Sequence, residues 1–279
     1  IVIEGDEYLS SPIDKRPKFH LYKPHIAVIS GIAWDHINVF PTFENYVDQF
    51  RIFKNTVSEQ LIYCNEDLEL NKLMVEKTKC ETIEYGTPTH KIINGVTSID
   101  NCDLKIFGKH NLQNLNAAML VCMQLGIDKK SFLNDMKSFK GASNRLEQIH
   151  NEKDFSIYKD FAHSPSKLKA TTLALKKQFP NRQLVACMEL HTFSSLNKNF
   201  LIEYKDSMNI VDKAIIYFNA ATLKQKKLKD ITKAEVQNAF NRDDLIVFTN
   251  SNKLEKYLET VKTKNQNILL MSSGNFNGI

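Results

Sequence analysis

The strongest constraint on the fold is an alternation of short apolar runs with amphipathic segments after about residue 146. The apolar runs have the length of buried strands, and the segments between them carry apolar residues at helical spacing. A strict alternation of strands and helices predicts a parallel sheet covered by helices, and therefore a Rossmann-like α/β domain over residues 147–279. Strands are predicted near 155–158, 184–188, 214–218, 245–248 and 268–271, and helices near 167–178, 199–208, 233–240 and 253–261.

Residues 1–146 alternate less regularly. An Asn94-Gly95 pair predicts a hairpin within 91–107, so antiparallel strands interrupt the α/β order. The segment predicts a partial parallel-sheet domain, and a chain of 279 residues has room for two cores. Further strands are predicted at Ile1–Ile3, Ile26–Ile29 and Leu61–Cys64, and helices over about 43–57, 68–77 and 111–125.

Composition excludes several classes of protein. Lys and Arg exceed Asp and Glu by 37 − 32 = 5, but the basic residues are scattered, which favours anionic small molecules over a nucleic acid. No apolar run approaches the ~20 residues that cross a bilayer, so no membrane partner is expected. Five cysteines without a C-x-x-C pair indicate a reducing cytoplasm. The chain opens on an apolar run and stops without a closing helix, and we expect it to be an excerpt of a longer protein. The oligomeric state stays open.

Acidic residues follow the first predicted strand. Glu4, Asp6 and Glu7 place three carboxylates within four residues, and such oxygen ligands can hold a hard divalent cation. A solvated acidic turn is the alternative. The second strand leads into an Asp35-His36 pair beside the same edge of the sheet, although His36 taken alone is typical of a structural histidine.

Five motifs follow one another along the chain: IEGDEY at 3–8, DH at 35–36, GKHNLQN at 108–114, NRLE at 144–147 and DFAHSP at 160–165. In order and spacing they resemble one enzyme family, the Mur ligases, over nearly the whole chain. The 14–19 segment DKRPKF and the closing 271–279 segment resemble the murein peptide ligase subgroup of that family.

The resemblance assigns the nucleotide and metal residues. It implies that ATP binds the central domain over residues 1–146, where Asn111 and Asn114 contact the adenine, and that Arg145 and Asp160 also contact the nucleotide. Glu4 and His36 would hold Mg²⁺, and with Arg145 they form the implied catalytic set. A nitrogen ligand is unusual for this hard cation. Helix capping by Asn111 and a turn role for Asp160 are the alternatives.

Substrate contacts are expected in the domain over residues 147–279. His191 and Ser194 follow a predicted strand of the parallel sheet, at the edge where ligands bind, and a polar loop without function is the alternative. The family resemblance adds His163 and Ser273. The sequence departs from the family at Ser164, where a second histidine usually follows His163.

The resemblance implies a reaction. An ATP-dependent ligase would join UDP-N-acetylmuramate to the peptide L-alanyl-γ-D-glutamyl-meso-diaminopimelate through an acyl phosphate, in peptidoglycan synthesis or recycling. The nearest alternative acceptor is L-alanine, and a non-catalytic nucleotide-binding protein is the alternative from another class. A Gly-x-x-x-x-Gly-Lys-Ser/Thr loop is absent from the sequence, so the chain by itself is expected to be inactive.

Overall fold

Two parallel sheets organise the chain, one in each of two compact units. The computed structural model describes residues 1–34 and 39–279, so His36 lies outside the described residues. The first unit contains Ile1–His90, Ile99–Cys102 and Lys109–Lys137, and the second contains Lys91–Ser98, Asp103–Gly108 and Ser138–Ile279.

The elements follow in chain order, and the labels below are used throughout. They are β1 (Ile26–Ile29), α1 (Phe43–Lys54), β2 (Gln60–Cys64), α2 (Leu68–Val75), β3 (Glu81–Tyr85), β4 (Lys91–Ile93), β5 (Val96–Ile99), β6 (Cys102–Leu104), α3 (Lys109–Gln124), α4 (Lys129–Met136), β7 (Glu147–Asn151), β8 (Phe155–Asp160), α5 (Pro165–Gln178), β9 (Gln183–Glu189), β10 (Lys213–Tyr217), α6 (Ala220–Gln225), α7 (Lys233–Phe240), β11 (Ile246–Phe248), α8 (Ser251–Thr260) and β12 (Gln266–Met271).

The first unit is built on the sheet β1-β2-β3, whose paired strands are parallel. Its central strand β2 is buried, with Leu61 and Ile62 fully excluded from solvent. Helices α1 and α2 start at side-chain caps, where Thr42 accepts the Asn45 N–H and Asp67 accepts the Leu70 N–H. The sheet therefore presents the loops after β2 and β3 side by side at its carboxyl edge.

The predicted hairpin is confirmed. Asn94 and Gly95 both have positive φ, 52° and 79°, as a two-residue turn between β4 and β5 requires. Gln178 ties this turn to α5, because its side-chain amide donates to the Gly95 carbonyl and accepts from the Thr97 hydroxyl. These bonds explain why the hairpin belongs to the second unit.

The second unit is built on a six-stranded sheet of order β11-β10-β9-β12-β8-β7. All pairs are parallel except β7 with β8. Side chains of β9 alternate between two cores: Leu184, Ala186 and Met188 pack with α5 and α7, and Val185 and Cys187 pack with α8. Helices thus cover both faces, as the alternating pattern predicted.

Connections after β9 and β12 leave the sheet on opposite faces. The segment after β9 buries Leu190 and Leu196 in the core shared with α5, whereas the segment after β12 buries Phe276 in the core shared with α8. Since β9 and β12 are neighbours, a crevice lies between their carboxyl ends, which is where open α/β sheets bind ligands.

Two sequence predictions fail locally. Ile1–Ile3 forms no strand, pairs with none of β1, β2 and β3, and is exposed. The helix expected over 199–208 is reduced to a 3-10 turn at Leu201–Tyr204, since Asp206 adopts a left-handed φ of 59°. Leu201, Tyr204 and Met208 of this segment are buried. Strands β3 and β7 and helices α4 and α6 were not predicted.

Within residues 1–34 and 39–279, no helix is long and apolar enough to cross a membrane.

Candidate functional site

Glu66 organises the carboxyl edge of the sheet in the first unit. It follows β2, accepts the backbone N–H of Thr87 from the loop after β3, and lies 2.7 Å from the Lys109 ammonium at the start of α3. The Lys109 side chain first, and the Thr87 N–H second, lower the pKa of Glu66 to about 2. Three elements are therefore joined through one ionised carboxylate.

Gly86 makes this arrangement possible. A Cβ at Gly86 would lie 2.7 Å from Glu66 Oε1 and 2.9 Å from Asn65 Oδ1, so a larger residue would displace the ends of these side chains. The Gly86 carbonyl accepts a 2.9 Å hydrogen bond from the Asn116 amide of α3. The loops after β2 and β3 are consequently held against the beginning of α3.

Asn111 and Asn114, the predicted adenine contacts, lie in the first two turns of α3 beside Lys109. The Asn114 side chain is exposed and Asn111 is half-buried. Because α3 begins at Lys109, Asn111 is the third residue of the helix and not its N-cap, which corrects the capping alternative. Spacing of three places both amides on one helix face near the Glu66 loop.

Of the three carboxylates near the amino terminus, Asp6 and Glu7 contact other side chains and Glu4 is exposed. Asp6 pairs with Lys18 at 2.5 Å, and Glu7 accepts a 3.2 Å hydrogen bond from the Tyr46 hydroxyl. Glu4 is exposed and lies in a segment without regular structure. Its carboxylate has the hard oxygen atoms that Mg²⁺ prefers. Its predicted partner His36 falls outside the described residues, within which no three His, Cys, Asp or Glu side chains form a metal cluster.

Asp160 is buried at the end of β8 and is occupied by local hydrogen bonds. One carboxylate oxygen accepts from the Ala162 N–H and the Thr171 hydroxyl, and the other accepts from the Leu146 N–H at 2.8 Å. These bonds fit the turn role that was the alternative for this residue. The nucleotide contact stays a prediction.

Arg145 is held next to this turn. Its neighbours Asn144 and Leu146 both have left-handed φ, 55° and 46°, which turns the chain so that Arg145 is exposed. Glu147 fixes the turn by accepting the Asn144 N–H at 2.8 Å. The Arg145 guanidinium carbon lies 5.9 Å from the centre of the Phe161 ring. An exposed guanidinium on a clamped turn is suited to a phosphate.

His163 follows on the same loop. Its Nδ1 lies 2.8 Å from the Phe161 carbonyl, and its own carbonyl accepts a 2.6 Å hydrogen bond from the Tyr204 hydroxyl. These contacts fix the ring through Nδ1. Its half-buried side chain is compatible with a substrate contact through Nε2.

A second polar cluster lies in the crevice between β9 and β12. Glu189, the last residue of β9, has a side chain only 4% exposed. Its Oε2 accepts from the Ser272 hydroxyl and from the Phe276 N–H at 2.8 Å, both in the segment after β12. Glu189 thus joins the ends of two neighbouring strands.

His191 and Ser273 lie in the segments that follow β9 and β12, at this crevice, and no hydrogen bond joins Ser194 to either of them in the described part of the chain. His191 Nδ1 lies 3.6 Å from Glu189 Oε1. The Ser273 hydroxyl oxygen is buried without a hydrogen-bond partner in the described part of the chain. Ser194 is exposed further along the loop. The crevice therefore contains a buried charge, an imidazole and an unsatisfied hydroxyl, a combination suited to a polar ligand.

Sequence reasoning missed the residues that organise both edges. Glu66, Lys109, Glu189 and Ser272 were not predicted as site residues, although each directly follows or ends a strand, or begins a helix, at a carboxyl edge. Applying the strand-end rule to β2, and to the last residue of β9 as well as to the loop after it, would have found Glu66 and Glu189.

Comparison with known proteins identifies relatives. Residues 7–122 match the family described as the Mur ligase middle domain. The chain is 26% identical over 289 residues to a UDP-N-acetylmuramate–L-alanine ligase of Ligilactobacillus salivarius (strain UCC118), covering 92% of this chain and 62% of that protein. It is 28% identical over 238 residues to the enzyme of the same name from Caldicellulosiruptor bescii, covering 77% of this chain and 50% of that protein.

Solved structures share the fold. A murein peptide ligase from Psychrobacter arcticus 273-4 superposes with a TM-score of 0.58 at 21% identity, over 99% of this chain and 60% of that one. A MurF ligase from Thermotoga maritima in complex with ADP superposes with a TM-score of 0.66 at 18% identity, over 91% of this chain and 59% of that one. The chain spans 47% of one curated relative and 62% of another.

Proposed function

We propose that this chain, a relative of the Mur ligases that carries their middle domain at residues 7–122, provides the nucleotide and acceptor sites of an ATP-dependent amide-bond ligase of peptidoglycan synthesis or recycling. The main support for the proposal is that the family match at residues 7–122 covers the sheet edge formed by Glu66, Gly86 and the start of α3. We place the boundary between nucleotide and acceptor domains at residue 146 and the reaction in the cytoplasm.

In the proposed reaction, the muramoyl carboxylate takes the terminal phosphoryl group of ATP and becomes an acyl phosphate. The acceptor amine then attacks the acyl carbon, and inorganic phosphate leaves. Mg²⁺, held by Glu4 and His36, would neutralise phosphate charge when bound. Phosphoryl transfer depends mainly on positioning and on charge stabilisation, and Arg145 is the residue of this chain proposed to contribute to both.

Each predicted nucleotide residue has a defined task. Asn111 and Asn114 offer adjacent amides that can donate to and accept from an adenine edge. Arg145 offers a planar fork of donors to phosphate oxygens, and its clamped turn limits the entropy lost on binding. Asp160, through the Leu146 N–H, holds that turn whether or not it also touches the nucleotide.

The acceptor is proposed to be the tripeptide L-alanyl-γ-D-glutamyl-meso-diaminopimelate, joined to UDP-N-acetylmuramate. The 14–19 segment and the 271–279 segment support it through their resemblance to the murein peptide ligase subgroup. The curated relatives named above carry the name of L-alanine ligases, so L-alanine is the competing acceptor. His163, His191, Ser194 and Ser273 are the proposed contacts.

A competition assay tests the proposal. The protein of natural length is given ATP, Mg²⁺, UDP-N-acetylmuramate and equal concentrations of tripeptide and L-alanine, and both products are measured by mass spectrometry. We expect a larger kcat/KM for the tripeptide, because each added polar contact contributes about 1 to 3 kcal/mol. Preference for L-alanine would reassign the acceptor, and ADP binding without any phosphate release would reassign the protein to a non-catalytic nucleotide binder.

A further inference from the structure

Glu189 is buried without a permanent cation. Its side chain is 4% exposed, and of the basic groups in the described residues only His191 lies within ion-pair distance. A buried carboxylate that lacks a Lys or Arg partner depends on hydrogen-bond donors and on the polar neighbour that its remaining oxygen faces. In the second unit, that neighbour is the imidazole of His191.

The two oxygens of Glu189 have different partners. Oε2 already accepts two hydrogen bonds, from the Ser272 hydroxyl and the Phe276 N–H. Oε1 faces His191 Nδ1 at 3.6 Å, which is longer than a hydrogen bond but close enough for its charge to favour a proton on Nδ1. Glu189 therefore holds the segment after β12 through one oxygen and faces His191 through the other.

Gly274 keeps the imidazole in place. A Cβ at this position would lie 2.9 Å from Glu189 Oε2 and 2.9 Å from both Cγ and Nδ1 of His191. The backbone after β12 thus packs against the ring on the Nδ1 side. No described residue hydrogen-bonds to Nε2, and the side chain is 37% exposed, so Nε2 is the nitrogen available to a ligand.

We propose that Glu189 is a positioning residue that keeps the His191 proton on Nδ1, so that the Nε2 lone pair accepts a hydrogen bond from the amino group of the acceptor. The neighbouring Ser273 hydroxyl, buried and unpaired, offers a second polar contact to the same group. The tautomer of His191 follows from the geometry alone, whereas the identity of the ligand as an acceptor amine rests on the proposed function.

The variant Glu189→Gln separates this role from a scaffolding role. The Phe276 N–H and the Ser272 hydroxyl both require an acceptor, so the glutamine oxygen must take the place of Oε2. Its NH₂ group then faces His191 Nδ1 and donates to it. The imidazole must move its proton to Nε2, as happens when the carboxylate behind a catalytic histidine becomes an amide.

Imidazole ¹⁵N chemical shifts of the 279-residue chain measure the tautomer directly. At a pH where the imidazole is neutral, we expect the Nδ1–H form in the unmodified protein and the Nε2–H form in Glu189→Gln. Ser272→Ala is the matched control, because it removes a donor to Oε2 and leaves Oε1 facing the ring. The same tautomer in all three proteins would overturn the proposal.

Kinetics of the natural-length ligase test the consequence for the acceptor. We expect Glu189→Gln to raise the KM for the acceptor by about tenfold or more, with an unchanged KM for ATP. If the unmodified protein ligates neither acceptor, the proposed function fails while the tautomer result stands. If the tautomer switches but acceptor KM does not, the amine is not the ligand of Nε2 and the proposal is overturned.

Discussion

In both units a glutamate joins the ends of two neighbouring strands, but the two glutamates differ in their charged partners. In each, a glutamate at the carboxyl edge of a parallel sheet accepts a backbone N–H from the loop after the neighbouring strand, and a glycine packs against the carboxylate. Glu66 accepts from Thr87 beside Gly86, and Glu189 accepts from Phe276 beside Gly274. Glu66 also pairs with Lys109, whereas Glu189 has only hydroxyl and backbone donors and a histidine.

Because the two glutamates differ in exposure, we expect the loss of a Glu66 contact to cost less stability than the loss of a Glu189 contact. The Glu66 side chain is 31% exposed and its ion pair is reached by solvent, so water can replace either partner. The Glu189 side chain is 4% exposed, so each donor that loses it stays buried and unpaired. We therefore expect the edge in the second unit to be the more easily damaged.

The largest expected effect comes from Glu4, a carboxylate that holds neither of the two loop contacts described above. Glu4 is exposed and holds no loop, and we expect Glu4→Ala to reduce ligation at least about a hundredfold without lowering the unfolding temperature, because it removes a carboxylate that stabilises phosphate charge through the metal. Steady-state ligation assays at saturating Mg²⁺ measure it, with Glu255→Ala in α8 as an exposed control. Unchanged turnover would remove Glu4 from the site.

Removing Glu66 or Glu189, the carboxylates that hold loops at the two sheet edges, tests whether the two edges differ in sensitivity. We expect Glu189→Ala to lower the free energy of unfolding by about 2 to 4 kcal/mol, since it leaves the Phe276 N–H and the Ser272 hydroxyl buried without an acceptor. Glu66→Ala should cost about 1 kcal/mol or less. Urea titrations followed by circular dichroism give both values. Equal losses would mean that burial does not distinguish the two edges.

Replacing the glycine at each edge with alanine should give a smaller difference in stability, again with the larger loss in the second unit. In Gly274→Ala the new methyl group meets the Glu189 carboxylate and the His191 ring, neither of which can move far, and we expect a loss of about 1 to 3 kcal/mol. In Gly86→Ala the methyl group meets Glu66 and Asn65, and Glu66 can swing into solvent, so the loss should stay below about 1 kcal/mol. Thermal unfolding of both variants decides between these outcomes.

The sequence predicted architecture better than contacts. Alternating apolar runs predicted the sheet of the second unit, and Asn94-Gly95 predicted the hairpin, because these signals are local. The strand at Ile1–Ile3 failed because an apolar run does not by itself specify a pairing partner elsewhere in the chain, and Ile1–Ile3 pairs with no strand of β1-β2-β3. Glu66 and Glu189 escaped prediction because their partners are 21 and 87 residues away, a relation that spacing does not encode.

The smallest effect concerns pH and isolates the ion pair of the first unit. The folded-state pKa of Glu66 is lowered from 4.5 to about 2, with Lys109 as the main cause. A lowered folded-state pKa contributes stability that is fully present above about pH 4.5 and is lost as the pH falls through about 2. Because the pair is partly exposed, the contribution is expected to stay below about 1 kcal/mol and to weaken in salt.

Glu66→Gln measures this contribution, since the amide keeps the shape of the side chain and cannot ionise. The difference in free energy of unfolding between the unmodified protein and the variant should be largest above about pH 4.5 and should shrink as the pH approaches about 2. Lys109→Met should remove most of the same pH dependence, because it takes away the principal partner of the carboxylate. A difference that stays constant between these pH values would show that the folded-state pKa of Glu66 is not lowered. A pH dependence that survives in Lys109→Met would show that the Thr87 N–H, and not the lysine, is its main cause.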